Sequence, residues 1–292
     1  MAQPFREMYY RSGDGLELYT RIYEPVSDDG PSVLCLHGLT RNSRDFEDLA
    51  PHLAMHHRVV VPDLRGRGHS AHDPNMQNYN AQVYLADALV LLDTLNAARV
   101  AVIGTSLGGM LAMMLAATCR ERVAGIVLND VGPEIDPAGM QRIKQYAGRL
   151  PAVRTWGEAL EQTKTVYGAA WPGLDTVRWQ TLVRRAYRED ADGVPRVDID
   201  PKIGELLRAA PETPFGLWPL WGALRDVPTL AIRGAHSDIL SVETFARMKR
   251  ENPQLEQLTV RNRGHVPLLD ELECVAAIDN FLLTLNSTPP AA

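Results

Sequence analysis

The sequence predicts a doubly wound, mostly parallel α/β sheet of eight strands carrying an inserted helical segment. Three observations support this. Continuous apolar runs alternate with stretches whose apolar residues recur at helical spacing. Within "VAVIGTSLGGMLAMMLAA", residues 100–117, β-branched residues give way to Ala, Leu and Met across one serine. From about residue 133 the alternation stops, and it resumes near residue 227.

Taken in order, "FREMYYRS" and "LELYTRIYEP" alternate in polarity around a "GDG" turn and read as two N-terminal strands. "SVLCLHG" and "RVVVPDL" are apolar throughout, as strands buried on both faces of a parallel sheet are. Helices are expected in "SRDFEDLAPHLA" and "NAQVYLADALVLLDTLN". Strand "RVAVIGT", helix "LGGMLAMMLAATC" and strand "RVAGIVLND" follow. Beyond the interruption come strand "VPTLAIRG", helix "SVETFARMKREN", strand "QLEQLTVRN" and helix "LLDELECVAAIDNFLLTL". Residues 1–132 and 225–292 therefore read as one core domain, and 133–224 as an insertion of helices, prolines and tryptophans without a convincing buried strand. The tail "NSTPPAA" is expected to fray.

A chain of 292 residues, 45% hydrophobic, can fill a substantial core. Its net charge of −6, with basic residues scattered along the chain, argues against a nucleic-acid partner. The N-terminus lacks the pattern of a signal peptide, and no segment supplies the roughly 20 apolar residues of a membrane span, so a cytoplasmic, membrane-free protein is expected. Cys35, Cys119 and Cys274 are odd in number and lie in apolar contexts, which points to free thiols and a reducing compartment. His52 and His56 share a helical face but lack a third ligand, and "GTSLGG" lacks both a G-x-G-x-x-G pattern and a Walker lysine. Neither a metal nor a cofactor is expected.

Gly104-Thr105-Ser106-Leu107-Gly108 fits G-x-S-x-G with a strand before it and a helix after it. A sharp turn there presents the Ser106 hydroxyl as a nucleophile and leaves the Leu107 N–H at a helix N-terminus, where it can stabilise an oxyanion. A serine that only capped the helix would not need the flanking glycines. His265, in "RNRGHVPLL" directly after the last strand, is the expected general base. Asp238, in "AHSDIL" after strand "TLAIRG", is the expected acid, with Asp130 at the end of "AGIVLND" as its rival. Either choice keeps the order serine, acid, histidine.

With these pieces, "LCLHGLTRNSRDF", "VVVPDLRGRGHS" and "RNRGHVPLLDE" together resemble the α/β-hydrolase-fold group of esterases, lactonases and haloperoxidase-like enzymes over essentially the whole chain. The resemblance implies a second oxyanion donor at the Leu39 N–H, a structural role for His37 beneath that loop, and an architectural role for "DLRGRGHS", including His69. It also implies that residues 133–224 form a helical cap over the site. Arg41 is expected either near the substrate or in a surface ion pair. Among Trp156, Trp171, Trp179, Trp218 and Trp221, the last two are singled out as pocket residues because "FGLWPLWGAL" leads back into the core. Relatives that open epoxides or remove halides carry aspartate at the elbow, where this chain has Ser106.

The expected function is a cofactor-free serine hydrolase of a small to medium apolar ester or lactone. The alternatives are C–C bond hydrolysis of a diketone-like substrate, perhydrolysis of the haloperoxidase type, amide hydrolysis and a ligand receptor on the same fold. The partner is a small-molecule substrate, and the sequence leaves the oligomeric state open.

Overall fold

A computed structural model describes residues 5–27, 30–209 and 216–286. The chain opens with β1 (Arg6–Arg11) and β2 (Glu17–Tyr23), then runs through β3 (Ser32–Leu36), α1 (Leu49–Leu53), β4 (Val59–Asp63), α2 (Ala81–Thr94), β5 (Val100–Thr105), α3 (Leu107–Thr118) and β6 (Val123–Asn129). Next come α4 (Pro137–Tyr146), α5 (Trp156–Tyr167), α6 (Thr176–Ala186), the short strands β7 (Tyr187–Glu189) and β8 (Pro195–Val197), α7 (Lys202–Ala209) and α8 (Trp218–Gly222). The chain then returns to the sheet with β9 (Thr229–Gly234), α9 (Val242–Glu251), β10 (Glu256–Val260) and α10 (Leu272–Asn286). The expected frayed tail lies outside the described residues apart from Asn286.

Eight strands form one sheet in the order β1-β2-β4-β3-β5-β6-β9-β10. β2 pairs antiparallel with both β1 and β4, and the remaining pairings are parallel. The period-2 alternation of strand side chains sends each run to two cores. Leu34, Leu36, Val60, Val102, Leu128 and Ala231 pack on one side with Leu91, Leu111 and Trp221 from α2, α3 and α8. Val33, Cys35, Ala101, Ile103, Val127 and Ile232 pack on the other with Leu53 from α1 and Ile278 and Phe281 from α10. Burial on both faces accounts for the unbroken apolar runs of these strands.

Helix starts follow their local chemistry: Asn80, Asp136, Thr155, Asp175 and Ser241 each accept a first-turn backbone N–H at the heads of α2, α4, α5, α6 and α9. Two sequence expectations change. "SRDFEDLAPHLA" is a 3-10 turn over Ser43–Phe46 followed by the five-residue α1, not one helix. The segment between β6 and β9 contains the β7–β8 hairpin, whose three-residue strands are too short to show periodicity.

The three cysteines are free, with Cys35 and Cys274 buried. Among the described residues no helix is long and apolar enough to cross a membrane.

Candidate active site

β5 ends at Thr105, and Ser106 takes φ 52° and ψ −112° before α3 begins at Leu107. Positive φ is costly for a residue with a side chain, on the order of 1–3 kcal/mol, and persists only where the surroundings enforce it. Here the glycines make the enforcement possible. A Cβ on Gly104 would lie 2.3 Å from the Gly108 carbonyl group, and one on Gly108 would lie 2.0 Å from the Leu36 carbonyl oxygen. Strand and helix thus meet in backbone-to-backbone contact. The Ser106 N–H donates to Asn129 O on β6 (3.0 Å), while its side chain caps nothing in α3. The hydroxyl instead meets His265 Nε2 at 3.0 Å.

His265 lies in the loop after β10 and is almost wholly buried. Three contacts fix that loop: Gly264 N–H donates to Ala170 O (2.7 Å), Trp171 Nε1 to Val266 O (2.7 Å), and Asn129 Nδ2 to Pro267 O (3.0 Å). The ring's Nδ1 lies 2.7 Å from Asp130 Oδ2. Asp130 is fully buried just past β6, at φ 57°. Its Oδ1 accepts the Gly234 N–H (2.7 Å) and its Oδ2 the Ser237 hydroxyl (2.5 Å).

The carboxylate that touches His265 is therefore Asp130, which corrects the expectation for Asp238. Asp238 receives two hydrogen bonds from Arg142, at 2.5 Å to Oδ2 and 2.9 Å to Oδ1. Partial burial opposes its ionisation, but the Arg142 hydrogen bonds and charge outweigh this and hold its pKa below the ordinary value. The difference lies in how the loop after β9 turns: it directs Ser237 onto Asp130 and leaves Asp238 facing Arg142 of α4.

Leu107 is the first residue of α3, so its N–H has no partner within the helix. Leu39 lies on the facing loop, and with Ser106 it lines a cavity of about 60 Å³. Two buried side chains hold that loop. His37 Nε2 accepts the Leu64 N–H (3.0 Å), which leaves the proton on Nδ1 to donate to Gly38 O (2.8 Å). Burial lowers the His37 pKa to about 4, so the ring is neutral at neutral pH. Arg67 Nε donates to Leu39 O (3.0 Å), and the Arg67 backbone bridges to Ile199 of the insertion. Asp200 N–H donates to Gly66 O (2.8 Å) and Gly68 N–H to Asp198 O (3.1 Å) on either side of that bridge.

Arg41 is buried rather than at the surface. It pairs with Asp45 through Nε (2.9 Å) and Nη2 (2.6 Å), and it also lines the cavity at Ser106. His69 lies outside this site: its N–H donates to Asp63 Oδ2 (2.8 Å) and its ring leans on Tyr19. His52 faces Asp279 at 2.9 Å.

The tryptophan expectation is corrected as well. Trp221 is buried beneath the sheet with α3. Trp218 donates from Nε1 to Glu134 (2.9 Å), with Arg247 stacked over its ring. Neither lines the cavity at Ser106. The aromatic wall is Trp171, stacked on Tyr167 at 4.7 Å, with Tyr146 edge-on to Tyr167 at 5.9 Å. Sequence reasoning passed over the two tyrosines, and the only local signal for them is their position at the C-terminal ends of α4 and α5.

Residues 31–272 match a family model described as the alpha/beta hydrolase fold. A crystal structure of an alpha/beta hydrolase from Novosphingobium aromaticivorans superposes with a TM-score of 0.89 at 42% identity, covering 97% of this chain and 99% of that one. A 3-hydroxybutyrate-oligomer hydrolase of Cupriavidus necator is 33% identical over 273 residues, 90% of this chain and 93% of that protein. A 2-(acetamidomethylene)succinate hydrolase of Mesorhizobium japonicum is 25% identical over 87% of this chain and 88% of its own length. The chain belongs to the α/β-hydrolase-fold family, and it is a hydrolase.

Proposed function

We propose that the protein is a serine esterase acting on short oligoesters of hydroxy acids, with Ser106 as nucleophile, His265 as general base and Asp130 as the acid. The observation that carries this reading is the continuous hydrogen-bonded line from the Ser106 hydroxyl through His265 (3.0 Å) to Asp130 (2.7 Å). Asp130 orients the imidazole by accepting the Nδ1 proton, which leaves Nε2 as the proton acceptor beside the serine. As Ser106 Oγ bonds to the ester carbonyl carbon, its proton passes to Nε2, and the Leu39 and Leu107 N–H groups stabilise the oxyanion. His265 then protonates the departing alkoxide. A water that gives its proton to His265 cleaves the acyl-enzyme, releasing the acid and the free serine.

The substrate class is supported by the similarity to the Cupriavidus necator oligomer hydrolase. Residues 133–224 act as the cap in this reading, since Tyr146, Tyr167, Trp171, Leu182 and Arg185 come from that segment to the cavity at Ser106. The test is a fluorophosphonate probe with a panel of hydroxy-acid oligoesters, simple esters, lactones and amides. One label at Ser106, absent from Ser106→Ala, and turnover led by the oligoesters are expected. Undiminished labelling of Ser106→Ala would overturn the nucleophile, and turnover led by amides would overturn the substrate class.

A further inference from the structure

The cavity at Ser106 measures about 60 Å³, and a second cavity of about 260 Å³ lies beyond it within the insertion. The second is about four times the first, so the larger part of a substrate belongs there. Thr40, Arg41, Tyr146 and Tyr167 belong to both walls and form the partition between the two spaces.

The partition is polar. The Thr40 and Tyr167 hydroxyls stand 3.4 Å apart, and the Arg41 guanidinium lies 5.7 Å from the centre of the Tyr167 ring. Asp45 engages Arg41 through Nε and Nη2, which leaves Nη1 as the nitrogen it does not take. Beyond the partition the wall turns largely apolar, with Leu150, Pro151, Val153, Val166 and Ile199.

A plain hydrocarbon chain beside these groups would offer them no acceptor, whereas an ester carbonyl accepts a hydrogen bond, a difference worth roughly ten- to a hundredfold in rate or affinity. An oligoester puts a second ester carbonyl one unit from the first. We infer that the enzyme is built for two-compartment binding: the scissile ester at Ser106, the next ester carbonyl at the Thr40–Arg41–Tyr146–Tyr167 partition, and the remaining units in the 260 Å³ cavity. This rests on the esterase reading above and adds to it a specificity device.

The test compares kcat/KM for methyl esters of the 3-hydroxybutyrate dimer and trimer with that for straight-chain alkanoate methyl esters of matched length. Wild type should favour the oligoesters. Arg41→Met and Tyr167→Phe should lower the oligoester-to-alkanoate ratio about tenfold or more, and Thr40→Val serves as a milder variant. Val166→Trp, which fills the second cavity, should lower the trimer-to-dimer ratio about fivefold or more. Folding is checked by melting temperature and site integrity by fluorophosphonate labelling. Ratios within twofold of wild type in folded, labelling variants, or a wild-type preference for alkanoates, overturn the two-compartment arrangement and leave the triad standing. A wild type that neither labels nor cleaves any ester overturns both.

Discussion

The Ser237 hydroxyl and the Asp130 carboxylate meet at 2.5 Å on the same oxygen, Oδ2, that His265 Nδ1 approaches. The loop after β9 therefore supports the carboxylate that meets His265 instead of supplying it. Asp130→Asn should lower kcat by roughly 10⁴, the scale seen when a triad acid is neutralised with its geometry kept. Asp238→Asn should change kcat less than about threefold, because that carboxylate is committed to Arg142. Steady-state kinetics on folded variants decide the matter, and a reversed order would return the role to Asp238.

Ser237→Ala should lower kcat about tenfold with little change in KM. It removes one charge-assisted hydrogen bond from a buried carboxylate while the Gly234 N–H still holds the other oxygen. Loss as large as in Asp130→Asn would mean that Ser237 determines the position of the acid.

Gly108→Ala should destabilise the fold by about 2 kcal/mol or more, since its Cβ would lie 2.0 Å from the Leu36 carbonyl oxygen. Both neighbours are backbone, so neither side can rotate away. Chemical denaturation reads the loss, and fluorophosphonate labelling of the surviving native fraction should slow as the elbow shifts.

His37 makes stability depend on pH. Its folded pKa of about 4 lies below the ordinary histidine value of roughly 6.5. Above pH 6.5 neither state holds the proton and the contribution is fully present. As pH falls from about 6.5 to about 4 the unfolded chain takes up a proton that the native ring refuses, and up to about 3 kcal/mol is lost. Urea unfolding across that window should slope more steeply for wild type than for His37→Asn. Equal slopes would mean that the ring titrates freely in the native protein.

The elbow was legible because its signal is local: a β-branched run, Gly104, Ser106, Gly108 and a helix-forming run fall within one short stretch. Which carboxylate meets His265 was not legible, because Asp130 and Asp238 both follow strands that end at one edge, and the turn of each loop decides which one faces the ring. Apolar patterning reveals that a strand is buried but not which strand is its neighbour. Trp218 and Trp221 misled for a related reason, since an aromatic run announces burial without saying against what, and Trp221 turned to α3. Leu39 came only through resemblance, because a backbone N–H leaves no mark on residue type.

The backbone bridge between Arg67 and Ile199 bears on how far the insertion can move. Residues 198–200 are sewn to residues 66–68 of the core by main-chain hydrogen bonds on both sides of that bridge, and Arg67 reaches from the same stitch to the Leu39 carbonyl. A door that swung the whole insertion outward would tear this seam and pull the Leu39 loop with it. The same segment is also tied down elsewhere, where Ala170 O and Trp171 Nε1 bond the loop that carries His265 and Arg142 of α4 bonds Asp238, so both ends of the cavity wall are anchored to the core.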